Sequence, residues 1–549
     1  MLLMTVLIAW YANSYTLNYR SQQLRLFSVI GFSKREMSKM FFFEKILCLG
    51  LTLLLGTIGS LSFARLGYLV VARMLKITLK RGFGLSLQAF MIADLAVVLI
   101  FIFLFFLDLI WIQRHNPLTP AIVDQREPKT RWFMLIFGFW SIILGYYLAV
   151  TLKDPIDAIQ YFFIAVMLVI VGTYFIFIAG SIFVLKFLRG RRSYYYRPQH
   201  FIRIGNLLTR MKQNGAGLAS ITILITMTLV TVISTVALFL GQNQMITAQS
   251  PVDLQYTVGN NQSDPTPIIY AAAQKSGVEI KTHDILKMTP ILMDVIGLHH
   301  YDVHGVLLAD FNRMAKTTEK LTPNEVIIVK EDGYEGSSLK IDNQEFRVKR
   351  VFRKFPNVKW QVGHDTIYLI FAMKEKTDET QHFLTLKGSD QKQLALFNNL
   401  PDGINVQSKA VTKDNIRIMM NGLLFIGILC GSAFVLITFL ILYYKQLSEA
   451  FEDVLRYQTL LRVGLAQSEI KKNIVSQLRV LFYLPLATAM IHLLFALPFI
   501  QRVLSNWGLK SKLNFMLIGL GVLITFALMY RLMGKLTMKV YYRIIFKRR

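Results

Sequence analysis

The chain of 549 residues is 54% hydrophobic and only 17% charged, with a positive mean hydropathy and a formal net charge of +28. So many long apolar runs exclude a water-soluble globular protein and indicate a polytopic membrane protein. Nucleic acid is excluded as a partner by where the charge lies: the stretch 243–413 balances 20 Lys/Arg against 20 Asp/Glu, and the excess sits mainly in short loops between apolar segments, a topology signal.

In chain order the hydropathy predicts about nine α-helical spans, at roughly 1–18, 46–66, 89–112, 132–152, 159–187, 217–241, 418–444, 478–499 and 513–533. Met1 opens directly into the first, with no basic leader and no small-residue cleavage site before Arg20, so it reads as a span and not as a signal peptide. The segments 19–45, 113–131, 188–216, 445–477 and the tail after Tyr530 hold basic residues such as Lys34, Arg35, Arg191, Arg192, Lys471 and Lys472, which places them inside. The loop 67–88, with Arg73, Lys76, Lys80 and Arg81, runs against this rule. The balance still puts 243–413 outside and the C-terminus in the cytoplasm. Cys48 and Cys430 both fall in apolar spans, so the polar stretch has no disulfide framework.

One cytoplasmic stretch occurs twice. Residues 24–44 read LRLFSVIGFSKREMSKMFFFE, and 457–477 read YQTLLRVGLAQSEIKKNIVSQ. At an offset of 433, Gly464 falls on Gly31, Glu469 on Glu36, Ile470 on Met37 and Lys472 on Lys39. Each copy predicts a short amphipathic helix, a glycine break and a charged helix that runs into the next span. Two pseudo-equivalent halves follow, each with a cytoplasmic handle. The domain plan is then 1–112, a first repeat of three spans; 113–216, a two-span linker with basic loops; 217–242, the sixth span; 243–413, the outer domain; and 414–549, the second repeat. Set beside the second half, the first lacks a preceding span and a short outer segment, an expectation open to a late start codon, truncation or genuine loss.

Asp94 and Asp108 lie near the ends of the third span and read as interfacial groups rather than a relay; His492 reads as a packed or hydrogen-bonded helix residue. In 188–216 a collar RGRRSYYYRPQ precedes Phe201, Ile204, Leu207, Leu208 and Met211 at helical spacing, which predicts an amphipathic helix on the inner leaflet. The sixth span is rich in Gly, Ala, Ser and Thr, as a closely packed helix requires.

The stretch 243–413 reads as one α+β domain, with strands at 254–258, 325–329, 346–351 and 366–371 and helices at 267–275 and 390–399. Its run Arg347, Lys349, Arg350, Arg353, Lys354 and Lys359, interleaved with Phe346, Phe355 and Trp360, is a candidate surface for a phosphate-bearing lipid or an acidic partner. The apolar alternation of Phe346, Val348 and Val351 favours a solvated strand face instead. His299, His300 and His304 beside Asp302 lack a recognised metal-ligand frame. No GxxxxGK[ST] loop occurs, so a P-loop in this chain does not supply the energy, and no cofactor is expected in it.

The Gly31/Glu36 and Gly464/Glu469 repeat, the segment NLLTRMKQNGAGLASITILITMTLVT and the single large outer domain before the last three spans resemble the FtsX-like ABC transporter permeases, and within them the bacitracin-resistance (Bce-type) permeases. That family normally has ten spans. The resemblance implies a permease that is not itself an enzyme, in the bacterial cell membrane, with ATP bound by a partner ATPase, two copies of it, held on coupling helices. Here those map to Leu24, Leu26, Phe27, Gly31 and Glu36, and to Leu460, Leu461, Gly464 and Glu469. It further implies an antimicrobial-peptide or undecaprenyl-type lipid substrate, contact with membrane lipids, and signalling to a membrane histidine kinase. An FtsX-type regulator of a cell-wall hydrolase and a lipid or lipoprotein exporter are the alternatives.

Overall fold

The computed structural model of the protein describes residues 2–75, 86–114, 131–151, 155–196, 198–259, 263–290, 302–331, 333–341, 344–358, 362–363, 366–372, 379–401, 403–462, 464, 466–505, 507–509 and 511–547. The helices begin with α1 (Leu2–Ile30), α2 (Lys34–Leu75), α3 (Leu87–Arg114), α4 (Trp132–Thr151) and α5 (Pro155–Phe175), which passes through a π-helical turn at Ile176–Gly180 into α6 (Ser181–Gly190). There follow α7 (Arg192–Tyr195), α8 (Pro198–Leu240) and α9 (Gln242–Gln249); α10 (Thr266–Lys275), α11 (Leu308–Ala315) and α12 (Asp390–Asn398) lie among strands, and α13 (Lys409–Arg462), α14 (Gln467–Ser505) and α15 (Lys512–Lys547) close the chain.

Among the described residues, eight helical stretches are long and apolar enough to cross a membrane: Lys34–Val70, Leu87–Gln113, Trp132–Thr151, Gln160–Gly190, Gly215–Leu240, Lys409–Phe451, Gln467–Ser505 and Lys512–Phe546. The helix α1 occupies the place of the span expected at 1–18 and is not among the eight, since Asn13, Thr16, Asn18 and Arg20 dilute its apolar run. As expected, the charged helix after Gly31 runs into the following span as one helix, α2, since no Gly or Pro interrupts 34–49.

The chain divides into two compact units, Met1–Thr235 with Leu424–Ile500 and Leu513–Arg549, and Val236–Leu423 with Gln501–Lys512. In the first, α4 and α5 pack backbone to backbone: a Cβ placed on Gly172 would lie 2.9 Å from the Gly138 carbonyl oxygen. Gly215 of α8 sits against the π-helical turn, where a Cβ would approach the Phe177 carbonyl oxygen to 2.8 Å. Along α8, Leu218, Ile221, Ile225, Leu229 and Ile233 are fully buried. Ile204, Leu207, Leu208 and Met211 are buried as well, while Phe201 is exposed. From Ile204 onward the amphipathic face expected to lie on the inner leaflet is covered by protein, because the segment continues the packed row of α8 instead of lying apart from it. His492 donates and accepts within a short chain, with Nδ1 2.5 Å from the Tyr146 hydroxyl and Nε2 3.0 Å from Thr173 Oγ1. It is packed and hydrogen-bonded, as the sequence suggested.

The second unit carries a nine-stranded mixed sheet of β1 (Leu254–Gly259), β2 (Glu279–Pro290), β3 (Asp302–Leu307), β4 (Glu325–Val329), β5 (Ser338–Ile341), β6 (Gln344–Phe352), β7 (Thr366–Phe371), β8 (Glu379–Lys387) and β9 (Val406–Ser408), in the order β5-β6-β4-β7-β3-β2-β8-β1-β9. The pairs β4/β6 and β3/β7 are parallel and the remainder antiparallel. Three apolar clusters hold it, around Phe311, Phe355 and Phe383, around Leu254, Ile269 and Leu384, and around Val326, Ile328 and Leu369. The expected strands and helices are present with ends shifted by a residue or two, whereas β2, β3, β5, β8, β9 and α11 went unpredicted.

Candidate functional site

The two repeated stretches fold into the same junction. Gly31 and Gly464 both take a positive φ, +105° and +99°, a region open to glycine and strained for other residues. At the first, the Phe32 amide donates back to the Phe27 carbonyl at 3.0 Å and the Gly31 amide to Ser28 at 3.2 Å; at the second, the Gly464 amide donates to Leu461 at 3.1 Å. The next helices start at Lys34 and Gln467, again 433 apart.

The two glutamates face their own helices. Ser33 precedes α2, and its amide and hydroxyl donate to Glu36 Oε2 at 2.7 and 2.8 Å while the Glu36 amide donates to Ser33 Oγ at 3.3 Å. This is a capping box closed in both directions. At the second junction Ala466 stands in for Ser33, and only its amide reaches Glu469 Oε2, at 3.3 Å. Both carboxylates thus bond within their own junction.

Burial extends the correspondence well beyond the repeated stretch. Around the first junction Leu17, Leu24, Met37, Phe41 and Ile112 form one buried cluster of α1, α2 and α3. Adding 433 to each gives Ala450, Tyr457, Ile470, Ile474 and Ile545, and all five belong to the buried cluster of α13, α14 and α15. Leu24 thus anchors the handle from inside. Leu26 is 59% exposed, as are Val29 and Ile30 beside it at 71% and 66%, so the apolar outer surface of the first junction lies there. Phe27 and Leu461 are half-buried against their clusters; the side chain of Leu460 lies outside the described residues.

Behind the junctions are polar groups that the sequence did not reveal. Asp108 is fully buried, not interfacial: it accepts from Asn13 Nδ2 at 2.5 Å, and Lys45 Nζ lies 3.1 Å from Oδ2 as an ionic contact without hydrogen-bond geometry. Arg20 Nη1 reaches both oxygens of Glu44, at 2.5 and 2.6 Å. The matching positions of the second half hold Tyr541 for Asp108, Asp453 for Arg20 and Gln477 for Glu44. There the Tyr541 hydroxyl donates to Asp453, and Tyr457 donates to Gln477 at 3.4 Å. The first cluster is tied by ion pairs and the second by hydrogen bonds from tyrosines.

On the sheet, the basic run resolves into two faces. Phe346, Val348 and Val351 pack on the core while Arg347, Lys349 and Arg350 point outward, and Arg353 and Lys354 lie exposed after β6. Lys349 donates to the Lys320 carbonyl at 2.5 Å, and Arg350 pairs with Glu319 at 2.8 Å, so both have partners in their own domain. Lys359, Trp360, His299 and His300 lie outside the described residues. Among the described residues no group of three potential metal ligands occurs. Sequence reading missed a histidine pair: His283 Nε2 is 2.9 Å from His382 Nδ1, with Tyr270 3.2 Å from His283 and Tyr256 stacked on His382. Burial holds both imidazoles below their usual pKa, against the opposing pull of Asp264.

These features define a polytopic membrane protein built on two matched three-helix clusters, each presenting a glycine-broken junction. No protein-family model matches the chain. It is 22% identical over 529 residues to the ABC transporter permease protein YxdM of Bacillus subtilis (strain 168), covering 89% of this chain and 82% of that protein. From the same organism, the ABC transporter permease YvcS is 22% identical, covering 90% of this chain and 83% of its own length, and the bacitracin export permease protein BceB is 20% identical, covering 97% and 88%. The chain is therefore similar, at low identity and over most of its length, to ABC transporter permeases of the Bce-like kind.

Proposed function

We propose that the chain is the membrane permease subunit of an ABC transporter, worked by a separate ATPase that docks on the junctions at Gly31 and Gly464. The observation that carries this reading is the matched pair of junctions, each fixed by a buried three-helix cluster to helices long enough to cross a membrane. A push on either junction is then delivered to three helices together, since packed cores move as units. In this reading the junctions and the C-terminus are cytoplasmic, the sheet domain is outside, and the two halves are FtsX-like repeats. The cargo is an antimicrobial peptide held on a cell-wall lipid intermediate, and the complex reports it to a membrane histidine kinase. The similarity to a bacitracin export permease supports the peptide reading.

The test is co-purification of a co-expressed ABC ATPase with the full chain carrying Leu26→Asp and Leu460→Asp. Loss of the ATPase with retained folding is the expected result; wild-type recovery overturns the docking assignment. Sensitivity of a deletion strain to bacitracin-like and lantibiotic peptides tests the cargo, and altered cell shape without sensitisation would point to regulation of a cell-wall hydrolase.

A further inference from the structure

The offset of 433 that superposes the buried faces of α3 and α15 also compares their outer faces, and these differ in kind. Inside, Ile100, Leu104, Asp108 and Ile112 match Met533, Thr537, Tyr541 and Ile545, all eight buried. Outside, Val98, Ile102, Phe106 and Ile110 match Arg531, Lys535, Lys539 and Arg543. On α3 this stripe is apolar and, from Ile102 onward, exposed, in a helix apolar enough to cross a membrane, a face suited to lipid. On α15 the same stripe is four exposed cations spaced one per turn.

These cations line a groove between α14 and α15. At one end a cleft of about 560 Å³ is walled by Lys471, Lys539, Arg543, Tyr542 and Phe546. Next along it a cleft of about 160 Å³ is walled by Arg479, Arg531, Lys535, Phe482 and Tyr483. Lys471 Nζ stands 5.6 Å over the Tyr542 ring. The Tyr542 hydroxyl is buried with no hydrogen-bond partner among the described residues, and no carboxylate there pairs with any of the six cations. In the first half the place of Lys471 is taken by Ser38 and that of Arg479 by Ile46, and Lys34 closes onto the end of α3 by donating to the Gln113 carbonyl at 3.0 Å. Among the described residues the groove is thus a feature of the second half.

We propose that the α14–α15 groove binds the phosphate headgroup of an anionic membrane lipid. Cations supply the charge for the phosphate and the Tyr542 hydroxyl an unused donor. Phe546, Phe482 and Tyr483 supply apolar wall for the adjoining chain, and the lipid-facing character of the matched α3 stripe makes an amphiphile the occupant in preference to a soluble anion. The proposal does not depend on ATPase docking at the junctions.

The experiment is native mass spectrometry of the full chain in detergent, delipidated and then titrated with phosphatidylglycerol or phosphatidylcholine. Each neutralised cation is expected to weaken phosphatidylglycerol binding roughly fivefold, so Lys539→Gln alone has a measurable effect, and Arg531→Gln/Lys535→Gln/Lys539→Gln/Arg543→Gln a loss of several hundredfold or so. A control with the same charge loss elsewhere, Lys275→Gln/Lys281→Gln/Lys287→Gln/Lys340→Gln, all exposed, is expected to bind as wild type. Equal binding by wild type and both groove variants overturns the proposal, as does equal weakening in the control. Displacement by glycerol phosphate at concentrations matching the lipid would mark a soluble-phosphate site. Groove variants that keep the lipid but lose a co-purifying protein would mark a protein docking surface. Either result overturns the proposal too.

Discussion

Ser33 and Ala466 stand at the same place ahead of α2 and α14, and exchanging their character separates the cap from everything else the junctions share. Ser33→Ala removes an oxygen that receives the Glu36 amide at 3.3 Å and a hydroxyl that donates to Glu36 Oε2 at 2.8 Å. Loss of such a cap costs about 1 kcal/mol, or about fivefold in the opening equilibrium of the first helical turn. The converse change, Ala466→Ser, has less to gain. The Glu469 amide already donates to the Ala466 carbonyl at 3.0 Å, so a new hydroxyl competes with an existing acceptor. The low end of the capping range applies, roughly 0.5 kcal/mol or about twofold. Amide hydrogen exchange of the full chain in detergent reads both changes locally, in peptides spanning 33–40 and 466–473. The expected pattern is about fivefold faster exchange at the first junction in Ser33→Ala and about twofold slower exchange at the second in Ala466→Ser. Changes of the same sign, or no change in Ser33→Ala, would refute the assignment of Glu36 and Glu469 as capping partners.

Gly31→Ala and Gly464→Ala place a side chain at φ near +100° with nothing within 4 Å to clash, so each cost is backbone strain alone, about 1–3 kcal/mol; thermal unfolding in detergent is expected to show two losses that add. Lys45→Met leaves the fully buried Asp108 without its cation and is expected to cost about 3–5 kcal/mol, most of it regained in Lys45→Met/Asp108→Leu. A double variant as unstable as the single would show that a stranded charge on Asp108 is not the source of the loss. His283 and His382 both have pKa values below the free value of 6.5, so the unfolded chain binds protons first and stability rises with pH. Their contribution is complete above about pH 6.5 and is lost as pH falls from there toward the folded-state pKa values; exchange of the β2 and β8 amides is expected to accelerate over that window, and less so in His382→Phe.

What the sequence revealed and what it concealed divide along the distance over which residues act. A glycine at positive φ and a glutamate three residues into a helix are decided by neighbours in the chain, so Gly31, Glu36 and their counterparts at 464 and 469 are visible as a repeat. The extended match is hidden because only its buried face persists: Ile100 with Met533 and Leu104 with Thr537 share burial and little chemistry. Polar partners are still less visible. Asn13, Lys45 and Asp108 meet from three helices, and nothing local to Asp108 distinguishes an interfacial carboxylate from one sealed by a lysine 63 residues away. Even with the repeat in hand, the second half cannot be inferred from the first, since Tyr541 and Asp453 restore the contact with donor and acceptor on different helices. The strands β2 and β8 escaped for a related reason. They sit inside the sheet, yet they carry His283 and His382 hydrogen-bonded to each other, so residues that read as solvent-facing have a packed partner. In both regions a polar residue is buried because another polar residue meets it, and pairing of that kind exists only once the chain is folded.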